Sequence, residues 1–145
     1  DAGYGFIAKL SDMVSKNKAG KAMLSLPKNA EVMVPQPVKQ LTTDYLASVT
    51  NEGRLLVFPV RDLPELAKGK GNKIINIPST RSSAREEIMV GAVVIGADDT
   101  LLVFAGKRKL KLRGADLEHY LGERGRRGNK LPRGFQNVTG LGIED

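Results

Sequence analysis

The chain has 145 residues, a formal net charge of +7 and a pI near 9.8. That length suits one domain or a piece of a larger one, and 41% hydrophobic residues are enough for a core. It has no cysteine, which excludes disulfides and thiolate metal sites and fits a reducing compartment, and no run approaches the ~18 apolar residues of a membrane span.

The chain opens on "DAGYGFIAKL", with neither an initiator methionine nor a signal-peptide pattern, and this reads as a domain cut from a longer polypeptide. A turn glycine, Gly3, leads into an apolar run and then the lysine-rich cluster "KNKAGK". A short strand is predicted at Glu31–Val34. "DYLASVTNEGRLLVFPV", Asp44 to Val60, shows two β-rich runs around "NEG", a hairpin signal. "RDLPELA" follows as a short helical turn, limited by Pro64, then the cluster "KGKGNK" and a strand at Lys73–Ile77. Further strands are predicted at Ile88–Val94 and Asn137–Leu141. "TLLVFAGKRKLKL" forms a second hairpin around Ala105–Gly106, and its alternation sends Leu110 and Leu112 inward and the lysines outward. "GADLEHYLGE" is a second short helical stretch, and "GERGRRGNKLPRG" closes the series with five cations and four glycines.

These pieces repeat. "GYGFIAKLSDMVSKNKAGKAMLSLP" from Gly3, "GRLLVFPVRDLPELAKGKGNKIINIP" from Gly53 and "GKRKLKLRGADLEHYLGERGRRGNKLPRG" from Gly106 share a plan. Each has a turn glycine, a strand, an Asp (Asp12, Asp62 or Asp116), a short connector and a cationic cluster rich in glycine. The units fall at roughly 1–52, 53–105 and 106–145. Short strands repeated at such a period predict an all-β, propeller-like array of about three blades; solenoids and separate small barrels fit the pattern less well. Leu55, Val57, Leu101, Val103, Leu110 and Leu112 are expected in the core, together with Phe58 and Phe104.

The parts of common catalytic sites are missing. His119 is the sole histidine, so a Ser-His-Asp triad or a zinc site is not assembled from this sequence, and His119 is read as a packing or surface residue. "AKGKGNK" fails the phosphate-binding P-loop pattern because Ile74 follows Lys73. The recurring aspartates read as helix caps, and Asp98–Asp99 as turn residues. The charge is what needs a partner. Between Leu101 and Phe135 there are ten Lys or Arg against three acids, a local excess. Glycine lets a backbone approach a phosphate, lysine supplies a point charge and arginine a bidentate fork. The residues expected to meet a polyanion are Lys16, Lys18 and Lys21; Lys68, Lys70 and Lys73; Lys107, Arg108, Lys109 and Lys111; and Arg124, Arg126, Arg127, Lys130 and Arg133. Aromatics are few and no helix is long enough to read a groove, so contact with the backbone of duplex DNA is the expected mode. The competing reading is a protein-interaction domain docking onto an acidic partner or onto another domain of its own enzyme.

"DAGYGF", "GRLLVFPVRDLPELAKGKGNKIINIPS" and "GKRKLKL…GERGRRGNKLPRG" resemble the C-terminal domain of the A subunit of bacterial DNA topoisomerase IV, of the Gram-negative type, across the whole chain. The resemblance implies a β-pinwheel, whose blades exchange strands with their neighbours, and DNA binding around its rim during decatenation and relaxation. It implies as partners the N-terminal breakage-reunion region of the same polypeptide and the B subunit of topoisomerase IV, with no membrane and no cofactor, in the bacterial cytoplasm at the nucleoid. The related A subunit of gyrase has the box Q-R-R-G-G-K-G, to which "ERGRRGNK" is only a degenerate relative, so gyrase-like wrapping is not implied. The catalytic tyrosine of these enzymes follows an arginine; here Tyr4, Tyr45 and Tyr120 follow Gly, Asp and His, so this chain alone is expected neither to cleave DNA nor to hydrolyse ATP.

Overall fold

The computed structural model describes residues 1–7, 27, 29–31, 33, 36, 38, 43–66, 71–96 and 98–144. In chain order the strands are β1 (Tyr4–Gly5), β2 (Tyr45–Thr50), β3 (Arg54–Pro59), β4 (Asn72–Lys73), β5 (Met89–Ile95), β6 (Thr100–Ala105), β7 (Arg108–Leu112), β8 (Asn129–Lys130) and β9 (Gly140–Glu144). Among the described residues helix is confined to α1 (Ser79–Ser83), α2 (Ala115–Glu118) and a 3-10 turn at Val60–Asp62. Both hairpins read from the glycine-marked runs are present, as β2–β3 and β6–β7.

Three antiparallel sheets result, ordered β1–β4, β5–β2–β3–β8 and β7–β6–β9. The middle sheet takes its fourth strand from the last cationic cluster, pairing Arg54 with Lys130 and Leu55 with Asn129. The first sheet does the same with the preceding cluster, pairing Tyr4 with Lys73 and Gly5 with Asn72. The matching goes further. Ile74 N–H donates to the Gly3 carbonyl at 2.6 Å, and Leu131 N–H to that of Gly53 at 2.8 Å. Ile7 N–H donates to Pro64 O at 2.8 Å, as Val57 N–H does to Tyr120 O at 2.9 Å. Leu66 N–H returns to Ile7 O at 2.7 Å, as Gly122 N–H does to Val57 O at 3.0 Å.

Each strand-forming cluster enters through a left-handed glycine, Gly71 at φ 79° or Gly128 at φ 75°. The geometry needs glycine for two reasons. The conformation is costly for other residues, and a Cβ on Gly128 would lie 2.6 Å from the Leu55 carbonyl oxygen of the neighbouring unit.

The apolar residues form two clusters, one on each side of the middle sheet. On one face Ala47, Val49, Leu55 and Val57 pack with Leu101, Val103 and Leu112 of the third sheet. On the other, Leu46, Leu56 and Phe58 pack with Ile74, Ile75 and Ile77. This double burial is why β2 and β3 read as nearly continuous apolar runs. The third sheet is different. It turns Leu101, Val103 and Leu112 toward the middle sheet, with Leu110 half-buried rather than buried. Its opposite face carries Leu102 paired with Lys111 and Phe104 paired with Lys109. Phe58 is core as expected, but Phe104 lies half-buried on this outer face. Aligning Leu46–Phe58 with Leu101–Leu112, Lys109 and Lys111 stand where the middle sheet has Leu55 and Val57.

Several local expectations are corrected. The strand at Lys73–Ile77 ends at Lys73, because Ile74 gives its N–H to Gly3 and its carbonyl to Gly125 while Ile74, Ile75 and Ile77 plug the core. Of the strand expected at Glu31–Val34, Glu31 and Met33 lie outside any strand, the Glu31 amide donating to the Asp1 carboxylate, and Val32 and Val34 fall outside the described residues. The last strand begins at Gly140 rather than Asn137, since the Val138 amide is used by Asn51 O. The five-residue α1 has no clear signal in "STRSS". The aspartates do not cap: α2 starts from Gly114 with Asp116 inside its first turn, and Asp62 lies within its 3-10 turn; Asp12 falls outside the described residues. Asp99 is a turn residue, accepting the Gly96 N–H at 2.7 Å.

If cluster entry depends on glycine, Gly128→Ala is expected to lower stability by about 1–3 kcal/mol in urea denaturation. Gly106→Ala is the control: Gly106 is also left-handed, but a Cβ there meets nothing within 4 Å. Equal losses in the two variants would show that the close approach to Leu55 is unimportant.

Candidate nucleic-acid interface

The stretch 122–134 is held by backbone bonds to the preceding unit. Gly125 N–H donates to Ile74 O at 2.9 Å, and Asn76 N–H donates to Arg126 O at 2.8 Å. The loop therefore runs beside residues 73–76, and β8 then continues onto β3. Its arginines divide by role. Arg124 Nη1 donates to Lys73 O at 2.9 Å, turning the side chain inward along the seam. Arg127 reaches deeper, donating to Asn76 O at 2.5 Å and gripping Glu87 in a fork, Nη1 to Oε1 at 2.9 Å and Nη2 to Oε2 at 3.1 Å. Glu87 is fully buried and the Arg127 side chain is 31% exposed.

Burial alone would push the Glu87 carboxyl up. Hydrogen bonds from Arg127 and Thr50, and the charges of Arg127 and Arg81, outweigh it and hold the group below its ordinary value. Two of the arginines that look from sequence like free phosphate ligands thus fasten the loop in place.

Arg126, Lys130 and Arg133 are exposed. Among the described residues Arg126 pairs with its exposed neighbour Glu123, at 3.0 Å. Lys107, Arg108, Lys109 and Lys111 on the second hairpin are exposed as well. Lys111 Nζ lies 2.7 Å from Glu144, whose carboxyl is lowered chiefly by that lysine's hydrogen bond. Arg108 links the two cationic segments, because its guanidinium lies over Gly134. Lys73 is half-buried, its Nζ donating to Asn76 Oδ1 at 3.0 Å. Lys16, Lys18, Lys21, Lys68 and Lys70 lie outside the described residues.

Two cations outside the clusters join this surface. Arg54 is directly opposite Lys130 across β3–β8, and Arg81 pairs with Glu52. Spacing along the chain gives no hint of either, since Arg54 sits in a core hairpin and Arg81 in the unforeseen α1. His119 is exposed and meets Tyr120 edge-on, with centroids 5.0 Å apart. Among the described residues no helix is long and apolar enough to cross a membrane.

The anchored arginine gives a prediction. Arg127→Ala leaves a buried carboxylate without its partner and is expected to cost about 2–3 kcal/mol in urea denaturation. The small cost usual for removing an exposed arginine therefore does not extend to Arg127. Because the Glu87 carboxyl is lowered on folding, its contribution is complete above its unfolded value near 4.5 and fades as pH falls through the lower folded value. Glu87→Gln should accordingly flatten the acid limb of the stability profile. An unchanged acid limb would show that Glu87 does not carry it.

Comparison with known proteins places this arrangement. Residues 44–80 match the model of the DNA gyrase C-terminal domain, a β-propeller. The chain is 60% identical over 144 residues to the A subunit of DNA topoisomerase 4 from Pseudomonas aeruginosa and 48% identical over 144 residues to that from Escherichia coli K12. Each alignment covers 99% of this chain and 19% of the relative, so the chain spans about a fifth of the length of these curated proteins. The structure of the E. coli ParC C-terminal domain superposes with a TM-score of 0.90 at 48% identity, covering all of this chain and 58% of that one. A second structure, a C-terminal domain of DNA topoisomerase IV, shares the fold at a TM-score of 0.73 with 15% identity, covering 99% of this chain and 44% of that one. Two sheets closed by strands from later clusters, identity along nearly the whole chain and the match of the middle unit lead to one conclusion: the chain belongs to the family formed by the C-terminal regions of topoisomerase IV A subunits and has that family's all-β, propeller-like pinwheel fold.

Proposed function

We propose that the chain is a sequence-nonspecific binding module for duplex DNA, built from repeat units near 1–52, 53–105 and 106–145. The observation that carries this reading is the set of exposed cations Lys107, Arg108, Lys109, Lys111, Arg126, Lys130 and Arg133, with Arg108 of the second hairpin lying over Gly134 at the end of the 122–134 loop. Backbone contacts to the unit beneath hold the 122–134 loop in one conformation, so its exposed cations are positioned before a ligand arrives. Preorganised charges bind with less ordering cost than a free loop would. Lys109 and Lys111 further replace the apolar side chains that continue the packing of the middle sheet, which leaves their face suited to a polyanion.

In this reading the chain holds DNA along its basic rim and helps the enzyme of its family choose a topological substrate for decatenation and relaxation. Cleavage and ATP hydrolysis belong to other regions of that enzyme, and the chain is noncatalytic. Its partners are duplex DNA, the breakage-reunion region of the same polypeptide and the enzyme's B subunit, at the bacterial nucleoid. Arg124 and Arg127 serve as loop anchors, with Lys16, Lys18, Lys21, Lys68, Lys70 and Lys73 as further phosphate contacts.

Two duplexes of equal length and unrelated sequence should bind within a few-fold of each other by fluorescence anisotropy; a preference of ~10³ would mean a specific reader. Each phosphate neutralised contributes about 0.9 to the slope of log affinity against log salt. Replacing Arg126 and Arg133 by glutamine should therefore lower that slope by roughly 2, with the melting temperature nearly unchanged. Superimposable salt titrations for variant and parent would remove the loop from the interface.

A further inference from the structure

Beside the exposed rim lies a cleft of about 550 Å³ between the β2–β3 turn, α1 and the 127–137 segment. Arg54, Arg81, Arg127 and Lys130 line it, and Glu52 is the one carboxylate among its lining residues. Arg127 is neutralised from behind by buried Glu87, and Arg81 by Glu52. That leaves Arg54 and Lys130. Neither has a carboxylate partner among the described residues; Arg54 only donates to the Gly128 carbonyl, at 3.4 Å. They are nevertheless directly opposite one another in the β3–β8 ladder. Like charges at such a position destabilise a strand pair. The corresponding pair in the first sheet, Tyr4 with Lys73, has one cation and no such conflict.

We propose that this cleft is a phosphate-binding site, in which Arg54 and Lys130 together grip one phosphodiester of a bound duplex. The inference rests on the DNA-binding reading above and adds to it a defined site and a residue, Arg54, that belongs to no cationic cluster. An anion between the two side chains turns the cross-strand repulsion into a shared attraction. Arginine supplies a fork and lysine a point charge, a pairing suited to the tetrahedral oxygens of a phosphate. No aromatic residue lines the cleft, so it offers a base nothing to stack on, and the ligand chemistry is the phosphate itself. A free phosphate shares that chemistry, and the test separates the two sources.

The test measures binding of the 145-residue chain to a linear duplex across a salt series, for the parent, for Arg54→Gln/Lys130→Gln and for Arg61→Gln/Arg113→Gln. The last removes the same charge from positions outside the cleft. Thermal melts verify that each variant is folded, and the single variants Arg54→Lys and Lys130→Arg take the place of the double glutamine variant should it not fold. The proposal expects the cleft variant to lose about tenfold in affinity and about 1 in salt slope, with clearly smaller changes in the control. In place of the double variant, Arg54→Lys is expected to lose affinity, because the fork is gone, while Lys130→Arg retains it. Parent binding with equal losses in cleft and control variants, or with none, overturns the cleft and leaves the rim reading standing. In parallel, inorganic phosphate is titrated against the labelled chain, with the Gly53 and Leu131 amides followed by NMR. Duplex binding by the parent together with shifts abolished in Arg54→Gln/Lys130→Gln supports the site. Phosphate-dependent shifts in a parent that binds no duplex overturn DNA as the source and the function proposed above, and assign the cleft to free phosphate. Neither duplex binding nor shifts overturns both.

Discussion

In the first two units a strand that follows the turn glycine, β1 or β3, has an edge that the next unit's cationic cluster closes. The antiparallel pairing in this closure is only two residues, Asn72–Lys73 on β1 and Asn129–Lys130 on β3, supplemented by single parallel bridges at Ile7–Glu65 and Val57–Leu121. So short a pairing cannot hold by itself. It persists because a left-handed glycine delivers the backbone into place and the residues that follow, Ile74, Ile75 and Ile77 in one case and Leu131 in the other, are driven into the core. Charge and burial are thus placed side by side in the sequence, "GNKII" and "GNKL", and the fold separates them by turning the chain at the strand.

The same closure explains why the arginines of the last loop are not equivalent. A segment laid across a neighbouring unit must satisfy the carbonyls it covers. Arg124 and Arg127 do so for Lys73 and Asn76, while Arg126 between them points away to Glu123. Arg127 adds the fork to Glu87, a fully buried carboxylate on the preceding unit that also accepts from Thr50. Among the described residues no buried side-chain polar atom is left without a partner, so this network is complete rather than half-satisfied. A buried ion pair of this kind stabilises little against an apolar pair, but it strongly disfavours any arrangement in which one member is lost. Here it fixes the loop to one place on the unit below.

Much of this was legible in the sequence. The hairpins showed through Gly53 and Gly106, and the repeat showed through the recurrence of "GNK". The failures share a cause: they concern groups whose partners are distant in the chain. Nothing around Arg127 says that Glu87, forty residues earlier, awaits it, and nothing around Arg54 says that Lys130 is opposite. Ile74–Ile77 has the composition of a strand, yet its backbone serves two other units. Phe104 looked like the partner of Phe58 by position in its hairpin, but the pleat sends it to the other face. Phe58 lies on the second strand of its hairpin, opposite Leu46, whereas Phe104 lies on the first strand of its own, opposite Lys109.

The lysines on the outer face of the third sheet also bear on how copies of the molecule meet. Sheets stacked by apolar faces form an array with no intrinsic length, since whatever face is last in one molecule fits the first in another. Leu102 and half-buried Phe104 would begin such a contact here, with Gly140 and Gly142 opposite them across β6–β9. Lys109 and Lys111 flank those two side chains on β7, and burying them would strip water from two ammonium groups. Lys109 and Lys111 therefore discourage end-to-end contact through this face without any bulky element to block it.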